Sequence, residues 1–157
     1  MPIFIGIDPG LADMGFGVVS VSGGQEKCLA YGSIKTPAGQ PTSERLLALF
    51  VKLGAVLDEY RPIRVGIEKL FFQKNVKTAM VVAEARGVIR LAVAQRNLSL
   101  IEMSPADVKL AVCGYGLADK RQVQTMVKTL LGLKEIPKPD DAADALAVAL
   151  ATAHWRL

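Results

Sequence analysis

The spacing of apolar and polar residues changes along the chain, and these changes predict five strands and five helices. Residues 3–7 are all apolar or glycine, which is typical of a strand buried on both faces. Asp8 stands at the end of this strand, and Pro9-Gly10 turns the chain. The next two predicted strands are Gly15–Val21 and Cys28–Lys35, with a hairpin loop at 22–25.

In the rest of the chain, apolar stripes of helical period alternate with two short strands. The first predicted helix is capped by Thr42 or Ser43 and ends before Pro62, and the second is Val76–Arg96. The third is capped by Ser104, and the fourth, Lys120–Leu131, is capped by Asp119. The fifth starts at Asp140. The predicted strands are Ile63–Glu68 and Leu98–Met103. This order predicts an α/β fold whose mixed five-stranded sheet, three antiparallel strands and then helix-linked strands, is flanked by helices. We expect a single domain over residues 1–157.

Composition limits the class of protein. Hydrophobic residues make up 51% of the 157, so a folded core is expected. No run approaches the roughly 18 apolar residues of a membrane span, and no secretory signal is visible, so we expect a cytoplasmic protein without a membrane partner. A net charge of +4 is a weak indication of a polyanionic partner.

Carboxylates stand at positions that are unusual for acids. Asp8 and Glu68 each end an apolar strand, and Asp141 and Asp144 are three residues apart, which places them on one face of an Ala- and Leu-rich helix. Each acid alone has an ordinary explanation: Asp8, for example, is a common first residue of a Pro-Gly turn. Two acids facing inward on an apolar helix repel each other, and the helix dipole accounts for only one of them.

Taken together, the four acids indicate a metal site. If the last helix crosses the ends of the two strands, Asp8, Glu68, Asp141 and Asp144 meet. Oxygen ligands without His or Cys select Mg²⁺ or Mn²⁺, and the chain has one His and two Cys without metal-ligand spacing. Four acids are enough for two ions, an arrangement used for phosphodiester hydrolysis.

The same residues resemble a known family. The segments Gly6–Gly10, Ile67-Glu68 with Phe71, and Asp141–Ala147 are similar to the three signature segments of the RuvC Holliday junction resolvases, and the similarity includes Ala85–Val88. The resemblance implies a ribonuclease H-like fold, a homodimer, and divalent-metal hydrolysis that makes paired symmetric nicks in a four-way junction during recombination and repair. It also implies the RuvA–RuvB branch-migration complex as a partner.

By the same resemblance, the four acids match the family's catalytic and metal-binding residues, although some members have His at the position of Asp141. Phe71 matches an aromatic residue that inserts at the junction, and Lys109 and Lys120 match residues near DNA and the scissile phosphate. Lys74 belongs to a set of lysines that we expect along a phosphate track. An exposed aromatic loop is also a known wedge against unstacked bases.

The predicted helix Val76–Arg96 has apolar residues on more than one side. Such a helix packs against the sheet and against a second surface, so we expect it at a dimer interface. Two symmetric cuts call for two active sites related by a two-fold axis.

Three other functions compete with this interpretation. An actin-like ATPase or sugar kinase also opens with a strand, an acid and a Gly-rich turn, but needs a second phosphate loop and usually a second domain. A binding module that does not cleave would explain the basic charge and Phe71 but not the four acids. The third alternative is a ribonuclease H-like nuclease that cuts RNA–DNA hybrids. Only the Phe71 loop and the family resemblance favour a junction resolvase over it.

Overall fold

A five-stranded sheet is covered by helices on both faces in the computed structural model, which describes residues 1–69 and 75–156. The strands are β1 (Ile3–Asp8), β2 (Asp13–Ser22), β3 (Gln25–Lys35), β4 (Arg64–Glu68) and β5 (Ser99–Met103). The helices are α1 (Thr42–Tyr60), α2 (Val76–Gln95), α3 (Pro105–Cys113), α4 (Lys120–Leu130) and α5 (Asp140–His154). Phe71 and Lys74 lie outside the described residues.

The sheet has the predicted mixed topology. Its strand order is β3-β2-β1-β4-β5, with β1, β2 and β3 antiparallel and with β4 parallel to both β1 and β5. The antiparallel strands follow one another through short loops, whereas α1 and α2 provide the crossovers that parallel strands need. As a result β1 is central, and β1, β4 and β5 point their C-terminal ends to one edge.

The two faces of the sheet bury separate clusters. Because side chains alternate along a strand, Ile5, Ile7 and Val65 face α1 and α2, where they pack with Leu53 and Ile89. The opposite face is covered by α3, α4 and α5, with Leu146 and Leu150 of α5 packed on it. Helix α5 is deeply enclosed, since Ala145 to Ala151 are all buried.

Helix caps agree with the prediction at two of three positions. Ser104 and Asp119 each accept a hydrogen bond from the backbone three residues on, as predicted, and both form a capping box. The prediction that Thr42 or Ser43 caps α1 is wrong. Thr42 is already helical, and the carbonyl oxygen of Pro41 accepts the hydrogen bond from the Arg45 N–H at 3.1 Å, so the helix begins one residue earlier.

Among the helices of residues 1–69 and 75–156, none is long and apolar enough to cross a membrane.

Candidate active site

Two acids lie side by side at the edge where the parallel strands end. Ile7 of β1 pairs with Ile67 of β4, and Asp8 and Glu68 are the next residues of each strand. Both carboxylates are half-buried. By alternation, Asp8 shares a face with Gly6 and Glu68 shares that face with Gly66, and this is the face that α5 covers.

Glycines let α5 approach the sheet closely. A Cβ on Gly15 would lie 2.1 Å from the carbonyl oxygen of Asp141, and one on Gly6 would lie 2.1 Å from that of Ala145. Real Cβ atoms do not come so close, so only glycine fits beneath the helix. Gly15 is the β2 partner of Asp8. The contact of Gly15 with Asp141 therefore brings the first turn of α5 next to Asp8.

Three carboxylates converge at this contact. Oxygen atoms of Asp8, Asp141 and Asp144 lie within 4.8 Å of one another. Glu68 is outside that group but lines a cleft of ≈ 240 Å³ together with Asp8 and Asp144. Of the four acids chosen from the sequence, the structure places three in one tight cluster and the fourth on the wall of the same cleft.

Burial and repulsion between the acids raise the pKa of several carboxyl groups of the site. Burial, followed by the charges of Asp144 and Asp141, raises the pKa of Asp8 from 3.8 to about 8. Burial and Asp144 also raise the pKa of Glu68, and burial raises that of Asp144, although Lys120 opposes the shift. Carboxylates held this close repel one another, and a bound cation offsets that repulsion and favours their ionised form.

Carboxylate oxygens without nitrogen or sulfur are the donor set of Mg²⁺ and Mn²⁺. Asp8, Asp141, Asp144 and the nearby Glu68 therefore fit a divalent metal both in ligand type and in charge. The ordinary explanation of Asp8 as a turn residue accounts for neither the cluster nor its raised pKa.

Two lysines complete the cleft. Lys109 of α3 and Lys120 of α4 both line it. The Nζ atom of Lys120 lies 3.2 Å from a carboxylate oxygen of Asp140 and 3.9 Å from one of Asp144. These carboxylates raise the pKa of Lys120, so its ammonium group stays charged beside the acids.

Sequence reasoning missed two residues of this region. The sequence indicates Asp140 only as the start of the last helix, yet in the structure its carboxylate pairs with the ammonium group of Lys120. A surface acid gives no sequence signal for that partner. The sequence predicts Gly15 only as the first residue of a strand. Its signal was present, because Gly6, Gly15, Gly17 and Gly66 recur in three neighbouring strands, and glycine within strands often marks the close approach of another backbone.

Comparison with known proteins decides the family. The profile of the family described as "Crossover junction endodeoxyribonuclease RuvC" matches residues 4–152. The chain belongs to the RuvC family. A RuvC of Heliobacterium modesticaldum is 53% identical over 97% of this chain and 94% of its own, and one of Alkaliphilus oremlandii is 52% identical over 97% and 93%.

Solved structures agree with this assignment. A structure of Thermus thermophilus RuvC in complex with Holliday junction substrate superposes with a TM-score of 0.93 at 36% identity, over 98% of this chain and 93% of that one. The predicted ribonuclease H-like fold is thus confirmed. As a RuvC protein, the chain is a crossover junction endodeoxyribonuclease, a nuclease that hydrolyses phosphodiester bonds in DNA, and the chemistry of this family depends on a divalent metal. The ATPase and sugar-kinase alternatives are wrong.

Proposed function

We propose that this RuvC protein resolves four-way DNA junctions by paired symmetric nicks, using one carboxylate site per subunit in a single domain that spans residues 1–157. The acids that carry the site are Asp8, Glu68, Asp141 and Asp144. The observation that supports this most is the convergence of three carboxylates within 4.8 Å, in a cleft that Glu68 also lines. A four-way junction as substrate is suggested by the Thermus complex.

We infer that the four acids hold two Mg²⁺ or Mn²⁺ ions. Such ions, when bound, activate water and stabilise the leaving oxygen of a phosphodiester. The protein supplies the fixed oxygen ligands, with Asp8 and Glu68 on strands and Asp141 and Asp144 on a buried helix. Ligands on such rigid elements stay in place without reorganisation during the reaction.

The lysines of the cleft act on the substrate. Lys109 is half-buried beside Glu68, and Lys120 projects from the first residue of α4. Their ammonium groups attract the phosphate that enters the cleft and offset the repulsion between DNA and the acids. Lys120 is already charged and paired with Asp140 and Asp144, so it opposes the rise in the pKa of Asp144 that burial causes.

Further DNA contacts belong to Phe71 and Lys74 in this proposal. Phe71 would insert against unstacked bases where the strands exchange, and Lys74 would contact the backbone. Both follow Glu68, a residue of the cleft, closely in sequence.

A homodimer would supply two active sites. The outward side of α2 exposes Val76, Met80 and Leu91, each more than half accessible. These residues recur at helical spacing and form an apolar stripe that a second copy would cover. We also propose the RuvA–RuvB complex as a partner in the cytoplasm, where the chromosome is found.

Cleavage of synthetic DNA tests the proposal. A mobile four-way junction, a linear duplex and an RNA–DNA hybrid are each incubated with the protein and Mg²⁺ or Mn²⁺. We expect nicks at symmetric positions in opposing strands of the junction alone, and none in EDTA. Sedimentation should show a dimer at micromolar concentration.

Other outcomes would overturn parts of it. Cleavage of the RNA–DNA hybrid would agree with the proposed metal site but refute the four-way junction as the substrate. Binding to the junction without cleavage under either metal would favour a binding module. If the protein is a monomer both with and without DNA, the proposed dimer and the place of α2 at its interface are refuted.

A further inference from the structure

Arg86 is a buried arginine on the side of the sheet away from the acids. It lies in α2 and is 7% exposed. Its position is unusual for a charged residue, because α2 packs against α1 and against the apolar face of the sheet formed by Ile5, Ile7 and Ile67. Arginine is rarely buried unless it has specific partners.

The guanidinium group of Arg86 has two partners on neighbouring strands. Through Nη1 it donates a hydrogen bond to the main-chain carbonyl oxygen of Glu68, the last residue of β4. Through Nη2 it donates to the carboxylate of Glu102 on β5 at 3.0 Å. Arg90, one turn later on α2, also contacts the carboxylate of Glu102. Arg86 therefore links the helix to both parallel strands at the edge that carries the acids.

This contact fixes the peptide unit of Glu68. The Lys69 N–H donates to the Met103 carbonyl oxygen at 2.7 Å, so the peptide group between residues 68 and 69 is bonded from both of its polar atoms. The side chain of Glu68 leaves the same backbone on the opposite face and lines the acidic cleft. A fixed peptide unit fixes the direction of the Cα–Cβ bond, and with it the reach of the carboxylate.

Stability alone is a weak reason for such an arginine. A buried ion pair can often be replaced by apolar residues of similar size with little loss of stability, since desolvation offsets the attraction of the charges. An apolar side chain, however, has no donor for the carbonyl oxygen of Glu68. What the arginine adds is a hydrogen bond at the end of β4, where Glu68 enters the cleft.

We propose that Arg86 is a positioning residue for Glu68, which it holds through the main chain so that the carboxylate lies at the metal site. This inference rests on the proposed role of Glu68 as a metal ligand. Arg86 touches neither metal nor DNA in this role; it acts from the far side of the sheet through one peptide group.

A matched pair of variants tests the proposal. Arg86→Met keeps a long apolar stem but removes both hydrogen bonds. Arg90→Met removes an arginine that shares Glu102 but has no contact with Glu68. Arg86→Lys keeps one charged donor. Each is compared in Mn²⁺ binding by calorimetry, in the metal concentration that gives half-maximal junction cleavage, and in urea unfolding.

We expect Arg86→Met to bind Mn²⁺ about tenfold or more weakly, as for other losses of residues that orient metal ligands, and to need correspondingly more metal for cleavage. Excess metal should restore part of its cleavage rate. Arg86→Lys should fall between Arg86→Met and the unmodified protein. Arg90→Met should bind Mn²⁺ within twofold of the unmodified protein.

Unchanged Mn²⁺ binding in folded Arg86→Met, or an equal loss in Arg90→Met, would overturn the inference. If Arg86→Met does not fold, Arg86→Lys decides: weaker metal binding at near-normal stability supports positioning, and normal binding contradicts it. A Glu68→Gln variant is measured in parallel. Normal metal binding and cleavage by Glu68→Gln would refute the proposed role of Glu68 itself, whereas a defective Glu68→Gln beside a normal Arg86→Met would refute only the role of Arg86.

Discussion

The face of the sheet under α1 and α2 differs from the face under α5 in the side chains that it presents. The first carries large aliphatic residues such as Ile5, Ile7 and Val65, all fully buried. The second carries glycine at the matching positions, Gly6 and Gly66, and α5 lies directly on their backbone. The same strands thus present a conventional core on one side and a close helix–sheet contact on the other.

This difference separates stability from chemistry. Burial of aliphatic side chains stabilises the fold in proportion to the area removed from water. The face under α5 also buries apolar residues such as Leu146 and Leu150, but it places carboxylates of like charge together, which the raised pKa of Asp8 reflects. The aliphatic face therefore stabilises a molecule whose other face carries an unfavourable cluster of charges.

The largest expected effect comes from Asp8, at the centre of the cluster. Asp8→Asn should reduce junction cleavage by more than about a hundredfold, as is typical when a group that stabilises transition-state charge is removed. Binding of the junction should persist, because an acid repels phosphate. A gel-shift assay beside the cleavage assay measures both. Loss of binding together with folding would instead assign Asp8 a structural role.

Gly15 tests whether close approach of α5 is what assembles the site. Gly15→Ala adds a methyl group where the Asp141 carbonyl oxygen lies, so the first turn of α5 must shift. A displacement near 1 Å in a site can cost about a hundredfold in rate. We expect that loss in cleavage and weaker Mn²⁺ binding, with far-ultraviolet circular dichroism unchanged.

Gly39→Ala is the matched control for Gly15→Ala, because nothing lies within 4 Å of a Cβ at that position. It should cleave at the normal rate. Normal cleavage by Gly15→Ala as well would show that the helix tolerates the shift and that the glycine contact does not set the geometry of the acids.

Leu53 tests the opposite face. It is fully buried in the aliphatic cluster, and Leu53→Ala should lower the free energy of unfolding by about 2–5 kcal/mol. Metal affinity and the cleavage rate per folded molecule should stay near normal at low temperature. Urea unfolding and active-site titration with Mn²⁺ measure the two quantities, and a specific loss of metal binding would contradict the separation of the faces.

The acids also predict how stability depends on pH without metal. The pKa of Asp8 is about 8 in the folded protein, compared with an ordinary value of 3.8, which applies to the unfolded chain. Between these two values of pH, the folded protein therefore binds a proton at Asp8 that the unfolded chain does not. Stability should therefore fall as pH rises from about 4 to 8, by up to about 1.4 kcal/mol per pH unit for one proton. Glu68 and Asp144 shift in the same direction and add to the trend.

Urea unfolding in EDTA at pH 5 and pH 8.5 measures this dependence. Asp8→Asn should reduce it, and Mg²⁺ should stabilise the protein more at pH 8.5 than at pH 5, because the ion favours the ionised acids. Equal stability at both values of pH in EDTA would mean that the charges of the cluster are neutralised by other groups.

Much of the fold was predictable because local patterns carry it. Apolar runs gave the strands, helical spacing gave the helices, and Ser104 and Asp119 marked two helix starts. The error at Thr42 shows the limit of local rules, since several residues before a helix compete for the cap and the backbone conformation at Pro41 decided the outcome.

The sequence by itself determined which acids we propose for the chemistry, because two acids at strand ends and a pair on an apolar helix have few ordinary explanations as a set. Only the tertiary structure decided how they meet: that Gly15 sets Asp141 beside Asp8, that Glu68 stands on the wall of the cleft, and that Arg86 reaches its carbonyl oxygen from the far side. These relations join residues far apart in the chain. They depend on packing distances of a few ångströms, which residue type and spacing do not encode locally.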